Sequence, residues 1–357
     1  MASEISFVKH CIDDGMNETC AVVDVDGDGS LDIVAGTHWY KSPDWKKYPM
    51  REIPFSNNYF DNFADYALDV NGDGRPDIIS GSWFRMQVAW YENPGVTGEL
   101  WKEHVIDKPG NVETLLMVDL DGDGVPDILP NVLGGEAKGV FWYKTIPGPK
   151  PEWQKIEVGE PGKGHGVGYG DVNGDGRMDI ITPNGWYEAP ADPVKGEWIW
   201  HPEFNLESTS VPILTYDVNG DGLADLIWGA GHDYGLYWEE QKLNSDGTRS
   251  WIRHEIDSSW SQSHAPTLAD LDGDGVMELI TGKRVFAHNG NDPGGRDPSC
   301  LYWYKLDRKD CSWTRHVIDE GTKVGGGMQI CVADMSGKGK LDIVAPGKGG
   351  LYLFESV

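Results

Sequence analysis

The nine residues Asp24-Val25-Asp26-Gly27-Asp28-Gly29-Ser30-Leu31-Asp32 recur, with small changes, from Asp69, Asp119, Asp171, Asp217, Asp270 and Asp334. Each copy offers acidic or amide side chains at positions 1, 3, 5 and 9. That oxygen-only set suits a hard cation such as Ca²⁺, and the glycines let the chain wrap tightly around it. The expected ligands are Asp24, Asp26, Asp28 and Asp32, then Asp69, Asn71, Asp73 and Asp77, then Asp119, Asp121, Asp123 and Asp127. Asp171, Asn173, Asp175 and Asp179 follow, then Asp217, Asn219, Asp221 and Asp225, and finally Asp270, Asp272, Asp274 and Glu278. The last copy, Asp334-Met335-Ser336-Gly337-Lys338, has a lysine where the third carboxylate belongs, so about six calcium ions are expected and not seven.

An EF-hand opens in the same way but needs a glutamate at position 12 and flanking helices. Position 12 of the first copy is Ala35, and each loop leads into a short apolar run of strand length, such as Asp32-Ile33-Val34. The copies start 45 to 64 residues apart, and their surroundings repeat too. An apolar strand precedes the loop (Leu115 to Val118). After the run comes an aromatic strand marked by Trp39-Tyr40, Trp90-Tyr91, Trp142-Tyr143, Trp186-Tyr187, Tyr237-Trp238, Trp303-Tyr304 and Leu353-Phe354. A fourth strand carries W-x-x-H in Trp101 to His104, Trp198 to His201, Trp251 to His254 and Trp313 to His316. Repeats of this size with four strands each predict an all-β, seven-bladed β-propeller of four-stranded antiparallel blades, one domain spanning 1–357. Phe7 to Ile12 matches the fourth strand while the chain stops after a third, so the N-terminal strand is expected to close the last blade.

These repeats resemble the FG-GAP or VCBS-type calcium-binding propellers, a fold shared by integrin head domains, certain fungal lectins and several carbohydrate lyases. The stretches Asp61 to Gly81, Gly164 to Tyr187, His232 to Trp238 and Gly282 to Gly294 are similar in style to the propeller half of the aldos-2-ulose dehydratases, which eliminate water from keto-sugars at a metal-assisted site. The cupin-like portions of those enzymes have no counterpart here. The resemblance implies a carbohydrate-active lyase, although one fold of this kind hosts many activities.

The formal charge is −28, from 58 acidic and 30 basic residues. Six bound Ca²⁺ would return +12 and leave about −16, which disfavours nucleic acid and anionic membranes, since both require a basic face. No run of about 18 apolar residues exists to span a bilayer. No leader is evident before the first strand. The calcium load favours an extracellular or periplasmic setting with the leader absent, the alternative being cytoplasmic. Cys300 and Cys311 flank one predicted hairpin and are candidates for a disulfide, and the odd total of five cysteines leaves at least one thiol free.

Because the calcium loops join first to second strands, they share one face of the ring. Function is expected on the opposite face, where the sequence is irregular. Counting back six residues from each loop reaches the mouth of the central channel at Glu18, Phe63, Glu113, His165, Val211, His264 and Met328. Loops after the second strands add His38, Trp83, Asn131, Asn184, His232, Tyr234, Lys283, Arg284, His288 and Lys348. His10, His104, His201, His254 and His316 instead recur in the outer strand, where packing explains them.

Three roles fit the mouth. Glu18, Glu113, His165 and His264 could hold Zn²⁺ or another divalent metal beside the calcium complement. An imidazole, by preference His165 or His264, could act as base, with His232, His38 or Tyr234 as partner and Arg284 or Lys283 stabilising an enolate during β-elimination from a keto-sugar or uronate-containing glycan. Trp83, Asn131, Asn184, His288 and Lys348 would then bind substrate. The alternatives are a lectin-like glycan-binding module without chemistry and an integrin-like protein-interaction propeller; the oligomeric state is left open.

Overall fold

The computed structural model describes residues 5–135, 138–160 and 162–357. Seven four-stranded antiparallel sheets form the ring, and each follows the chain from an inner first strand to an outer fourth. The first blade runs Cys20–Val23, Asp32–Ala35, His38–Lys41 and Lys46–Pro49. The last runs Cys331–Ala333, Asp342–Gly347 and Gly350–Ser356, and is completed by Phe7–Asp13 from the chain start, with Phe7 opposite Ser356 and Asp13 opposite Leu351. The expected closure is therefore present. No described helix is long and apolar enough to cross a membrane.

The nine-residue motif builds its loop through backbone hydrogen bonds. In the first copy the position-1 carboxylate, Asp24, accepts from the N–H groups of Gly27 (2.8 Å), Asp28 (3.1 Å) and Gly29 (2.9 Å). Gly27 and Gly29 sit at φ 74° and 90°, a left-handed backbone where glycine is nearly free of strain. The position-9 carboxylate is buried and reaches in two directions. Asp32 accepts from Val25 N (2.9 Å) inside its own loop and from Ser42 N (2.8 Å) at the end of the third strand. Asp179 does the same with Val172 (2.9 Å) and Ala189 (2.8 Å), and Asp342 with Ser336 (3.2 Å) and Ser356 (2.7 Å). Thus even the seventh loop, which lacks the full ligand set, keeps this brace.

The apolar faces pack between blades. One cluster joins Ile79 and Trp90 to Leu115 and Phe141 across the second and third blades, and another joins Val344 and Leu353 of the last blade to Ile33 and Tyr40 of the first. The outer-strand histidines are structural, as expected. His104, His201, His254 and His316 lie flat on Trp90, Trp186, Trp238 and Trp303 at 3.9–4.4 Å, and His10 pairs with Glu355 at 3.2 Å. First strands of all seven blades, through residues such as Tyr66, Leu116, Leu214 and Leu268, line a largely apolar central cavity of about 640 Å³.

Tyr237-Trp238 lies on the third strand of its blade, where Trp238 occupies the tryptophan position and Glu239 the tyrosine position opposite Leu226. One expectation needs correction. Cys300 and Cys311 are both free, because Cys300 begins a strand whose other end, Asp307 opposite Ser312, leads into the turn holding Cys311.

Asp342→Ala strips the acceptor from the buried Ser356 N–H and the part-buried Ser336 N–H and should cost roughly 1–3 kcal/mol. In urea unfolding the loss should be the same in calcium and in chelator, because that loop lacks a full cation site. A loss seen only in calcium would make the brace a metal effect.

Candidate functional site

The molecule has two candidate sites, on opposite faces of the ring. On the first face, the loop oxygens match a hard-cation donor set: Asp24, Asp26 and Asp32 converge, as do Asp119, Asp121 and Asp127, and Asp270, Asp272 and Glu278. Burial pushes the position-9 carboxyls Asp32 and Asp77 up to about 6 and Asp127 and Asp179 up to about 7, a penalty that a bound cation would relieve. The residue beside position 9 on the third strand follows the identity of position 3. Where position 3 is Asp, that residue is a lysine, Lys41, Lys144 or Lys305, whose amine joins the position-3 and position-5 carboxylates. Where position 3 is Asn, it is Glu92, Glu188 or Glu240, bonded to the stacked histidine, and Arg75, Arg177 or Lys242 supplies the cation. Four carboxylates against one lysine, or three plus a glutamate against one basic group, leave each of the six loops with the same formal −3.

On the opposite face, the register residues meet around the channel. Phe63, Val211 and Met328 pack with Tyr59, Trp83 and Phe84 as an apolar half. The polar half is centred on Arg284, which is 1 % exposed. Its Nε donates to Glu18 Oε2 (3.1 Å) and its Nη1 to Glu113 Oε1 (3.4 Å), while the guanidinium lies 5.3 Å from the Tyr59 and Phe63 rings. Lys348 places its amine 3.3 Å from the Tyr59 ring centre and 3.9 Å from Glu18, and burial pushes that amine down to about 8 against the pull of Glu18.

Beside this knot stand His165 and His264, with ring centres 6.0 Å apart. His165 Nδ1 is bonded to the Thr209 carbonyl (2.7 Å) and His264 Nδ1 to the Gln262 carbonyl (3.3 Å). Both Nε2 atoms are buried without a hydrogen-bond partner; His165 Nε2 lies 3.4 Å from Glu113 Oε1, an electrostatic contact without hydrogen-bond alignment. Their environments push the two imidazoles apart. Burial opposes charge on His165 but Glu113 outweighs it, so His165 titrates above its usual value. Burial, then Arg284 and the neighbouring imidazoles, holds His264 well below its own. Glu113, buried yet facing His165 and Arg284, is held down to about 2.

Glu18, Glu113, His165 and His264 are thus brought together as the sequence suggested, but with a guanidinium already bonded to both carboxylates. A divalent ion placed there would face that fixed positive charge at close range in a poorly solvated setting.

Two more imidazoles extend the cluster. His232 lies 4.7 Å from His165 and 4.4 Å from His288, ring centre to ring centre. Both turn Nδ1 to one oxygen of Asp292, at 3.2 Å and 2.5 Å. Sequence reasoning missed Asp292, though it follows His288 by four residues in the same unrepeated loop; it also missed Tyr59, whose hydroxyl accepts from His288 N (2.6 Å).

Other expected residues fall elsewhere. Lys283 is buried with its amine on Ser261 (2.8 Å) and the Gly294 carbonyl (2.5 Å), so it anchors the loop. Tyr234 bonds Asp297 (2.5 Å) on the rim, and His38 bonds Thr37 (2.7 Å) beside Tyr40. Asn131 donates to the Gly164 carbonyl (2.8 Å) and so positions the segment bearing His165. Asn184 is exposed in a turn and makes none of the cluster's bonds, whereas Trp83 packs on Phe63.

The signature of the FG-GAP-like repeat matches residues 69–129 and 217–281. No curated protein matches the chain in sequence. Among solved structures, the exotype rhamnogalacturonan lyase YesX is similar with a TM-score of 0.54 and 13% identity, over 98% of this chain and 72% of that one. The rhamnogalacturonan lyase YesW gives 0.51 and 14% over 98% and 72%, and BBS1N, solved in complex with ARL6DN, gives 0.57 and 12% over 97% and 94%. At such identities the likeness establishes the fold, and an enzyme and a binding protein share it equally.

Elemental analysis after dialysis should find about six calcium ions per chain, falling to about five in Asp123→Ala and staying at six in Lys338→Ala. Chelation should lower the melting temperature sharply, as loss of a ligand specific to the folded state requires. An unchanged melting curve in EDTA would remove calcium from the account.

Proposed function

We propose that the protein is a carbohydrate lyase or dehydratase that performs β-elimination at the channel mouth. The observation that carries this reading is the pair His165 and His264: two adjacent imidazoles, each with Nδ1 committed to a backbone carbonyl and Nε2 without a hydrogen-bond partner, that of His165 facing Glu113, and driven to opposite protonation states. Titratable neighbours whose environments separate their pKa values mark an acid and a base. The relationship in fold to two rhamnogalacturonan lyases is compatible with a sugar substrate.

In this reading neutral His264 takes the proton from the carbon beside the substrate carbonyl or carboxyl. The C–H electron pair forms the enolate, whose negative oxygen is met by the unpartnered Nη2 of Arg284. As the enolate collapses, the bond from the β-carbon to its oxygen breaks with that electron pair, and protonated His165 hands its Nε2 proton to the leaving oxygen. The products are the unsaturated sugar and water or an alcohol. Glu113 keeps His165 charged before the step and Asn131 holds its segment in place.

A second reading, glycan binding without chemistry, is favoured by the exposed aromatic rings Phe55 and Phe286, 54 % and 43 % accessible, which offer stacking surfaces for sugar.

With keto-sugars and uronate-containing glycans, turnover should appear as ultraviolet absorbance of a new conjugated double bond. His165→Ala and His264→Ala should each abolish it without unfolding the protein, whereas His104→Ala should cost stability and spare activity. No absorbance on any substrate, with sugar binding that survives both mouth substitutions, selects the second reading.

The pH profile is fixed by direction. His264 must be neutral and titrates below its ordinary 6.5, so the acid limb of kcat/KM lies below that pH; His165 must be charged and titrates above 6.5, so the alkaline limb lies above it. His165→Gln should remove the alkaline limb from whatever activity remains, and a profile unchanged by that substitution would contradict the assignment.

A further inference from the structure

A loop at the edge of the mouth is shaped by uncommon backbone. Phe286, His288 and Asn289 all adopt left-handed conformations, at φ 55°, 48° and 57°, although none is glycine. Non-glycine residues held there are strained, and such strain persists only where the surroundings impose it. Those surroundings are visible. Tyr59 takes the His288 N–H, the Asn58 amide donates to Asn289 (2.9 Å), Lys283 clamps the Gly294 carbonyl, and Lys348 donates to the Phe286 carbonyl (3.1 Å). The effect is to aim His288 and Asp292 at His232 from the neighbouring blade, so that two imidazole nitrogens and one carboxylate oxygen converge within 4.8 Å of one another.

We propose that His232, His288 and Asp292 bind one divalent transition-metal ion, of the Zn²⁺ or Mn²⁺ type, at the channel mouth. Two imidazoles and a carboxylate form a donor set that takes such ions, and three protein ligands leave positions open for water or a substrate oxygen. The site is open in that sense: His232 and His288 are more than a third exposed, and Asp292 is about a fifth exposed. Among the described residues no lysine or arginine side chain pairs with any of the three, in contrast to Glu113, which pairs with Arg284. The remaining polar contact, Gln262 Nε2 to Asp292 (3.3 Å), orients the carboxylate from outside the triad, as outer partners of metal ligands do. The inference extends the reading of the mouth as a chemical site, and its test needs no turnover.

The experiment uses the full chain with calcium in excess, so that the loops on the other face stay filled. A transition-metal chelator strips it, and it is then titrated with Zn²⁺, and with Co²⁺ for its visible d–d absorption. One ion per chain is expected. His288→Ala and Asp292→Ala should weaken binding beyond the roughly 10–100-fold that loss of an outer partner costs, while His264→Ala and Glu113→Gln should leave stoichiometry unchanged. His288→Gln and Asp292→Asn replace the alanine variants if either fails to fold. Loss of the metal in His264→Ala or Glu113→Gln but not in the His288 variants would place it in the inner group and overturn the proposal. Absence of bound metal in the wild-type chain would overturn it too, leaving Asp292 as a hydrogen-bond acceptor for two imidazoles.

Discussion

The buried carboxylate at the ninth loop position is the interaction on which this ring depends. At the six aspartate copies its two oxygens accept N–H groups from opposite directions, one in the loop and one at the end of the third strand, so a single side chain sets where the hairpin begins and how far the next strand reaches; Glu278 in the sixth copy keeps the loop bond, to Leu271 N, alone. Leaving either N–H unpaired in the interior is expensive, which is why the position is acidic in all seven copies. The brace uses only protein atoms. The remaining oxygens then create the charge that lysines, arginines and the candidate calcium ions must balance, and the constant −3 across two different residue combinations expresses that requirement.

A frame fixed in this way frees the opposite face. The same first strands that carry the loops at one end deliver Glu18, Glu113, His165 and His264 at the other, at one height around the channel. Arg284 organises them. Taking a guanidinium and two carboxylates out of water is costly unless each is paired, and here each carboxylate takes one bond from Arg284, while Arg284 Nη2 and Glu18 Oε1 have no hydrogen-bond partner. Those atoms, with the two imidazole Nε2 atoms that lack a hydrogen-bond partner, are where an incoming polar group gains most.

Much of this was legible in the sequence because it repeats. The loop marks each blade, the aromatic and W-x-x-H strands mark its outer half, and the split repeat announces closure through Phe7–Asp13. Counting back from the loop worked for the mouth because the first strands run from it to the loops in one register. Loops after the second strand have no such ruler. His232, His288 and Arg284 do reach the cluster, but Lys283 turns to Gly294, Tyr234 to Asp297 and His38 to Thr37, since loop length alone does not set where a side chain points. Asp292 went unread for the same reason, as did the carbonyls of Thr209 and Gln262, because backbone acceptors have no sequence signal. The Cys300 and Cys311 pairing failed because sequence proximity across a hairpin ignores strand length: one sulfur starts the strand and the other lies beyond its end.

The claim that the mouth performs chemistry is tested most directly by proton exchange. Keto-sugars and uronate-containing glycans are incubated with the protein in D₂O and examined by NMR or mass spectrometry for deuterium at the carbon beside the carbonyl or carboxyl. Exchange reports the proton-removal step alone, even where no leaving group departs. The account predicts deuterium incorporation with the wild-type chain and none with His264→Ala; a sugar that binds tightly at the mouth yet never exchanges that proton would contradict it.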